Sequence, residues 1–249
     1  MNMINNGIKF SEAKDYKELS EISANIMLKC VKEKSDALFC IATGNSPALA
    51  YDIFVQTILK EKIDVTKLRI LKLDEWWKVD INDKSTCEYF IQDKIIKPLN
   101  IASENYIGFN SNAPDADMEC KRISKLAREA GTIDLCVLGM GKNGHLGLNE
   151  PGTCLFPFAH TVKLTEKTKT HTMLTKTSVN INYGMTLGIS NIISSKAILF
   201  LASGEEKNTS FHKFMNGMVC TELPASILWA HPDTLCVYER SLTEEDLSL

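Results

Sequence analysis

The chain of 249 residues has little excess charge of either sign, with 28 Lys and Arg against 31 Asp and Glu and a formal net charge of −3. It therefore offers no bulk attraction to nucleic acid or to an anionic membrane. No stretch approaches the roughly 18 unbroken apolar residues of a membrane helix, and residues 1–10 lack the apolar run of a secretory signal. We expect a cytoplasmic protein that binds neither nucleic acid nor membranes.

Clustered cysteine is also missing. The eight cysteines are scattered, and none belongs to a Cys-x-x-Cys motif. Several, such as Cys40 and Cys136, lie inside apolar runs, which favours buried reduced thiols over disulfides. Because a zinc site needs grouped ligands and the sequence groups none, no metal is expected.

The sequence contains no internal repeat, low-complexity tract or long Pro, Gly or Ser linker, so we expect one domain over residues 1–249. Short apolar runs alternate with segments of helical periodicity. Strands are predicted at residues 37–42, 68–73, 133–138, 197–202 and 234–238, and helices after Ser11, at 46–60, from Ser85 to before Pro98, at 116–130 and at 205–215. This alternation predicts an α/β fold with a mostly parallel sheet, which binds ligands at the carboxyl ends of its strands.

The first strand ends in Ala-Thr-Gly-Asn-Ser-Pro over residues 42–47. Gly44 permits a tight turn, and Ser46 before Pro47 suits the N-cap and first position of a helix. Backbone N–H groups at such a helix start, with the hydroxyls of Thr43 and Ser46, form a site for a phosphate group. The alternative is an ordinary strand–turn–helix joint. The Gly-Lys-Ser/Thr ending of a P-loop is missing.

Two adjacent acids, Asp74 and Glu75, follow the second strand and precede two tryptophans. Burying carboxylates costs free energy, and repulsion between them raises the pKa of at least one. A carboxylate of raised pKa is a better proton acceptor near neutral pH. The alternative is a solvated acidic loop.

The third strand end carries Gly-Met-Gly-Lys-Asn-Gly-His-Leu-Gly-Leu-Asn-Glu-Pro-Gly over residues 139–152. Its G-x-G-x-x-G pattern also occurs in the dinucleotide-binding motif, which needs a helix starting at the glycines. The Gly and Pro residues that follow disfavour a helix, so no nicotinamide or flavin cofactor is expected. The loop instead presents Asn143, His145 and Glu150, and a histidine near a carboxylate is typical of acid–base catalysis. A structural histidine is the alternative.

Lys207 follows the fourth strand, at the same edge of the predicted sheet as the other three motifs. It is a candidate ligand for the phosphate, and a surface lysine is the alternative.

Together the motifs resemble the glucosamine/galactosamine-6-phosphate isomerase (deaminase) family. The similarity runs from the strand at 37–42 to Pro-Ala-Ser-Ile-Leu-Trp at 224–229. Leu-Asp-Glu-Trp, the third motif and that late segment are most similar to galactosamine-6-phosphate isomerases. The resemblance implies a Rossmann-like three-layer sandwich, a cofactor-free reaction and a small sugar phosphate as the binding partner, and it leaves a homo-oligomer open.

The resemblance also implies roles for single residues. Asp74 is then the base that moves a proton between C2 and C1, and His145, supported by Glu150, assists opening of the sugar ring. Glucosamine-type members carry an aspartate at the position of Asn143, and an amide cannot stabilise an imidazolium as a carboxylate does. The residues implied at the phosphate are Thr43, Gly44, Asn45, Ser46 and Lys207, with Lys176 as the candidate second cation.

The sequence thus predicts conversion of galactosamine 6-phosphate to tagatose 6-phosphate and ammonia, through an imine that is hydrolysed, or of glucosamine 6-phosphate to fructose 6-phosphate. The alternative of an isomerase that keeps the nitrogen on the sugar remains. A 6-phosphogluconolactonase typically continues Gly-His with Ser-Leu-Phe-Pro, which the Leu-Asn-Glu-Pro around Glu150 disfavours. A non-enzymatic sugar-phosphate sensor would carry a helix-turn-helix module before this domain, where we expect only one amphipathic helix.

Overall fold

The computed structural model describes residues 8–152, 154–169 and 181–243. The strands are β1 (Ile8–Ala13), β2 (Leu38–Ile41), β3 (Arg69–Lys72), β4 (Asp74–Trp76), β5 (Tyr106–Ile107), β6 (Leu135–Gly139), β7 (His160–Lys163), β8 (Tyr183–Thr186), β9 (Ala197–Ala202) and β10 (Thr234–Glu239). The helices are α1 (Tyr16–Glu33), α2 (Asn45–Glu61), α3 (Cys87–Ile91), α4 (Ala116–Ala130), α5 (Glu166–Lys169), α6 (Ile189–Ile193) and α7 (Asn208–Met215).

Seven of these strands form one sheet in the order β1-β10-β9-β6-β2-β3-β5, and every neighbouring pair in it is parallel. β4, β8 and β7 form a second, antiparallel sheet in that order. The predicted α/β fold with a mostly parallel sheet is confirmed.

The main sheet is covered by helices on both faces, which explains why its strands are continuous apolar runs. In β2, Leu38 and Cys40 belong to the core cluster that includes residues of α4 and α7. Phe39 and Ile41 belong to the cluster that includes residues of α1 and α2. Since side chains alternate along a strand, both faces of β2 are buried, and the three-layer arrangement follows.

Side-chain caps fix the ends of the better predicted helices. Asp15 precedes α1 and accepts a hydrogen bond from the backbone N–H of Glu18. Asp115 precedes α4 and accepts from the N–H groups of Asp117 and Met118, and Gly131 ends that helix with a φ of 89°. In the described part of the chain, none of the helices combines the length and apolar composition that a bilayer crossing requires.

Two predicted helix starts are wrong. Gly44 rather than Ser46 is the N-cap of α2, because its φ of 117° makes the turn and lets the helix begin two residues earlier. Thr86 rather than Ser85 caps α3, through a hydrogen bond to its hydroxyl from the N–H of Tyr89. The Glu88 carboxylate, three residues after Ser85, accepts a hydrogen bond from Lys72 Nζ at 2.7 Å.

Two predicted helices are also less regular than expected. Beyond Ile91 the chain continues as a π-helical turn (Gln92–Ile96) before Pro98. The helix expected from residue 205 opens with a 3₁₀ turn (Glu205–Lys207), and α7 follows it.

Candidate active site

The three predicted motifs and Lys207 follow four adjacent strands of the main sheet. β9, β6, β2 and β3 are neighbours and parallel, so their carboxyl ends meet at one edge. A pocket opens there and is lined by residues 42–47, Asp74, His145 and Lys207, among others. The structure therefore brings together side chains that are as far apart in the sequence as Thr43 and Lys207.

One end of the pocket is the start of α2. Gly44 is its N-cap, and the first N–H groups of a helix have no partner within the helix. Ser46 is buried, and its Oγ accepts hydrogen bonds from Lys207 Nζ at 2.7 Å and from Ser203 Oγ at 2.9 Å. A positive helix end, a hydroxyl and an ammonium group therefore converge at one point, as an anion site requires.

Thr43 and Asn45 take other positions at this end. The Thr43 hydroxyl donates to Cys87 Sγ at 3.2 Å, so in this structure its proton points away from the helix start. Asn45 is exposed, and its backbone carbonyl accepts a hydrogen bond from the Tyr16 hydroxyl.

Lys207 is the cation of this end of the pocket. Burial lowers the pKa of its ammonium to about 8, although the carboxylates of Glu206 and Glu239 act in the opposite direction. The positive charge of Lys142 lowers the pKa further. A dianion bound at Ser46 would reverse this shift, because it would stabilise the charged form of Lys207.

Asp74 is the first residue of β4 and pairs with Thr186 of β8. Burial raises the pKa of its carboxyl group to about 7, and the neighbouring Glu75 carboxylate adds to the effect. His145 and Lys72 act in the opposite direction. The sequence predicted a raised pKa from like-charge repulsion, whereas loss of water is the larger cause. Asp74 Oδ1 is buried without a hydrogen-bond partner among the described residues.

In Glu75, by contrast, both carboxyl oxygens accept hydrogen bonds. Its Oε2 accepts from Lys72 Nζ at 2.8 Å and from the Glu88 N–H at 2.7 Å. Its Oε1 accepts from the N–H groups of Trp76 and Cys87 at 2.8 and 2.9 Å. This buried pairing ties β3, β4 and the start of α3 together directly behind Asp74.

The loop after β6 contains no helix within residues 140–152, as predicted. Its Leu148 N–H donates to Thr186 Oγ1 at 3.2 Å, and Asn149 Nδ2 donates to the Leu187 carbonyl at 2.9 Å. Thr186 is also the residue that pairs with Asp74 across the small sheet. β8 therefore fixes the position of the loop relative to Asp74.

His145, Glu150 and Asn143 are in contact within this loop. His145 Nδ1 lies 3.7 Å from Glu150 Oε2, and Asn143 Nδ2 donates to the same oxygen at 2.8 Å. Burial opposes ionisation of Glu150, but hydrogen bonds and the positive charge of His145 lower its pKa to about 2. Glu150 is fully buried and does not line the pocket, so it acts on His145 rather than on a ligand.

Thr168, Lys142 and Glu206 line the pocket but were not predicted as site residues. Thr168 Oγ1 lies 3.4 Å from His145 Nδ1, and α5, which carries it, has no apolar pattern that marks its position. Lys142 also lines the pocket, whereas the sequence pattern predicts it only as a member of the glycine-rich loop. Lys176, the predicted second cation, lies outside the described residues. Those residues hold no group of His, Cys, Asp and Glu arranged to bind a metal.

Known proteins match this chain over most of its length. The family model described as glucosamine-6-phosphate isomerases/6-phosphogluconolactonase matches residues 11–237. The Escherichia coli (strain K12) protein named "Putative deaminase AgaI" is 38% identical over 226 residues, which cover 91% of this chain and 90% of that protein. Glucosamine-6-phosphate deaminase 1 of Bacillus subtilis (strain 168) is 32% identical over 235 residues, with 94% and 97% covered.

Solved structures give the same result. A monomeric glucosamine-6-phosphate deaminase superposes with a TM-score of 0.87 at 30% identity and covers 95% of this chain and 98% of its own. A 6-phosphogluconolactonase from Thermotoga maritima, at 20% identity and a TM-score of 0.72, shares the fold. It covers 94% of this chain and 99% of its own. The motifs, the fold and these matches agree, and the chain belongs to the family of glucosamine-6-phosphate isomerases and 6-phosphogluconolactonases.

Proposed function

We propose that this chain isomerises and deaminates a 6-phosphorylated amino sugar, with galactosamine 6-phosphate as the preferred substrate. One observation carries the proposal: a buried carboxyl group of raised pKa, Asp74, and an imidazole, His145, line the same pocket as the anion site at Ser46 and Lys207. Such a pocket offers a proton acceptor near neutral pH at a fixed distance from a phosphate-binding end.

The phosphate binds at the start of α2, where Gly44, Asn45 and Ser46 present N–H groups, and to the Lys207 ammonium. This anchors the sugar so that its C1 and C2 lie toward Asp74 and His145. His145 then moves the proton between the ring oxygen and the C1 hydroxyl that opens the ring. Glu150 and Asn143 position the imidazole, and Glu150 stabilises it when it is protonated.

Asp74 performs the isomerisation. It removes the proton from C2, the C2–H electron pair forms a C1–C2 double bond, and the π pair of the C1 carbonyl moves to O1, which takes up a proton to give an enolamine. The nitrogen lone pair then forms the C2=N bond while the C1–C2 π pair takes the proton back from Asp74 at C1. The product is a ketose imine. Water adds to its C2, the C–N bond breaks, and ammonia leaves with a ketose 6-phosphate. Because Asp74 must start ionised to accept the proton, a pKa near 7 matches the base to neutral conditions.

The galacto preference rests on motif similarity, through Leu-Asp-Glu-Trp, the 139–152 segment and the late Pro-Ala-Ser-Ile-Leu-Trp. Two of the similar proteins above are named as glucosamine-6-phosphate deaminases, so the epimer is the natural comparison. The test is ammonia release from galactosamine 6-phosphate and glucosamine 6-phosphate, measured side by side with 6-phosphogluconolactone hydrolysis.

We expect a higher kcat/KM for ammonia release from the galacto substrate and none of the lactonase activity. A higher value for glucosamine 6-phosphate would overturn the preference and leave the reaction in place. Lactone hydrolysis without ammonia release would overturn the reaction itself.

A further inference from the structure

The anion site of the pocket is incomplete with Lys207 alone. A phosphate monoester carries a charge of about −1.5 to −2 at pH 7. A helix N-terminus supplies roughly half a positive charge, and Lys207 supplies at most one. Burial also lowers the pKa of Lys207 to about 8, so its charge is easily lost without an anion. A buried dianion with this shortfall needs a second cation.

Lys142 is placed to supply it. Its loop follows β6, which lies between β9, the strand before Lys207, and β2, the strand before Ser46. Lys142 lines the same pocket as both residues. Its backbone carbonyl accepts a hydrogen bond from Ser210 Oγ at 2.7 Å, which fixes it to α7, the helix that begins just after Lys207.

The positive charge of Lys142 also acts on Lys207, whose pKa it lowers. Among the described residues, Lys142 forms no ion pair with a carboxylate. The Glu206 carboxylate lines the pocket too and offsets part of the charge of Lys207, and a dianion bound between the two lysines would stabilise the charged form of both.

We propose that Lys142 is the second cationic ligand of the substrate phosphate. The inference rests on the proposed function only for the identity of the sugar, because the phosphate site itself is tested without turnover. The groups that act on Lys207 are Glu206, Glu239 and Lys142, and of these both Glu206 and Lys142 line the pocket with it.

The test compares Lys142→Met, Lys142→Arg and Lys207→Met with Lys213→Met, a control at an exposed position on α7. Inorganic phosphate is the probe, and its Kd is measured by calorimetry. We expect Lys142→Met to weaken phosphate binding about 10- to 100-fold, the range for a lost charge-assisted hydrogen bond. Lys142→Arg should stay within a few-fold of the parent, and Lys213→Met should match it. The KM for the amino sugar phosphate should rise with the phosphate Kd, while kcat changes little.

A second readout separates ligation from a structural effect. Calorimetry in buffers of different ionisation enthalpy counts the protons taken up when phosphate binds at pH 8.5. The parent protein should take up a fraction of a proton, on average, for each phosphate bound. The Lys207→Met variant should take up none. In Lys142→Met the repulsion is gone, the pKa of Lys207 rises, and the uptake should move to higher pH.

Parent-like phosphate affinity in Lys142→Met, with weakened affinity in Lys207→Met, overturns the assignment of Lys142 and leaves the anion site standing. Unchanged affinity in both variants overturns the anion site as a whole. Tight phosphate binding that needs both lysines, in a protein that releases no ammonia, supports the inference and instead overturns the proposed reaction.

Discussion

Asp74 and Glu75 are adjacent in the chain, but their carboxyl groups lie in opposite environments. Glu75 is buried and accepts four hydrogen bonds, one of them from Lys72 Nζ at 2.8 Å. Asp74 lines the pocket, and its Oδ1 has no hydrogen-bond partner among the described residues. The pKa of its carboxyl group is raised to about 7. The alternation of side chains along β4 places the Asp74 carboxyl group in the pocket and the Glu75 carboxyl group against Lys72.

Replacing Asp74 by Asn should lower kcat by at least about 10²- to 10⁴-fold, the usual contribution of a general base. The amide fills the same space but cannot accept the C2 proton. Ammonia release measures the loss, and circular dichroism with phosphate binding reports on the fold and the anion site. Near-parental turnover in this variant would remove Asp74 from the reaction.

The pH dependence of kcat/KM should show an acidic limb near pH 7. Burial and Glu75 raise the pKa of Asp74 to about 7 in the free enzyme, and below that pH its carboxyl group is protonated and cannot act as the base. A rate profile between pH 5 and 9 tests this. A limb near pH 4 would mean that Asp74 titrates as an ordinary exposed aspartate.

The same carboxyl group should reduce the stability of the protein at high pH. Its folded-state pKa is raised, so the folded state loses stability as pH rises from the unfolded value of about 3.9 to about 7. Asp74→Asn should therefore raise Tm at pH 8 and raise it less at pH 5. Calorimetric scans of both proteins at the two pH values measure the difference. An equal effect at both values would contradict the raised pKa.

The Asn143→Asp variant, which introduces the aspartate of glucosamine-type members, should have a lower kcat than the parent protein. The Asn143 amide donates a hydrogen bond to Glu150 Oε2 at 2.8 Å, and a carboxylate there would face Glu150 with like charge. We expect about a 10-fold lower kcat at pH 8, with partial recovery at lower pH as the new acid becomes protonated. A rate profile of the variant decides between impairment and gain. Asn143→Gln serves as the neutral control.

Gly141→Ala should misplace the catalytic imidazole. A Cβ at position 141 would lie 2.2 Å from Nε2 of His145, so the ring must move. Gly139→Ala is the matched control, because a Cβ there meets Ser46 Cβ at an ordinary 3.8 Å. We expect a loss of about 10²-fold in kcat for Gly141→Ala and little change for the control. Equal kcat values in both variants would show that turnover does not depend on the position of the His145 ring.

The sequence predicted the strands of the sheet interior because both of their faces are buried, as in β2 and β9. It missed β1, whose sequence IKFSEA mixes polar and apolar residues because the strand lies at the edge of the sheet. It also missed β4, β7 and β8, which have only three or four residues each and no apolar run.

The candidate site was predictable where it follows strand ends, since parallel strands place those ends together. The partners of its residues were not. Lys72 lies in an apolar strand, and only the fold shows that its ammonium reaches both Glu75 and Glu88. Thr168 and Lys142 became visible only through their positions in the pocket.

The parallel pairing of β1 with β10 has a consequence for how the protein is made. β1 begins at Ile8, yet its only strand neighbour in the described sheet is β10, which begins at Thr234. During synthesis β1 therefore stays without a strand partner in the described sheet until β10 has left the ribosome. Since domains generally fold as units, we expect truncated nascent chains that lack β10 to leave their N-terminal segment open to proteases and chaperones.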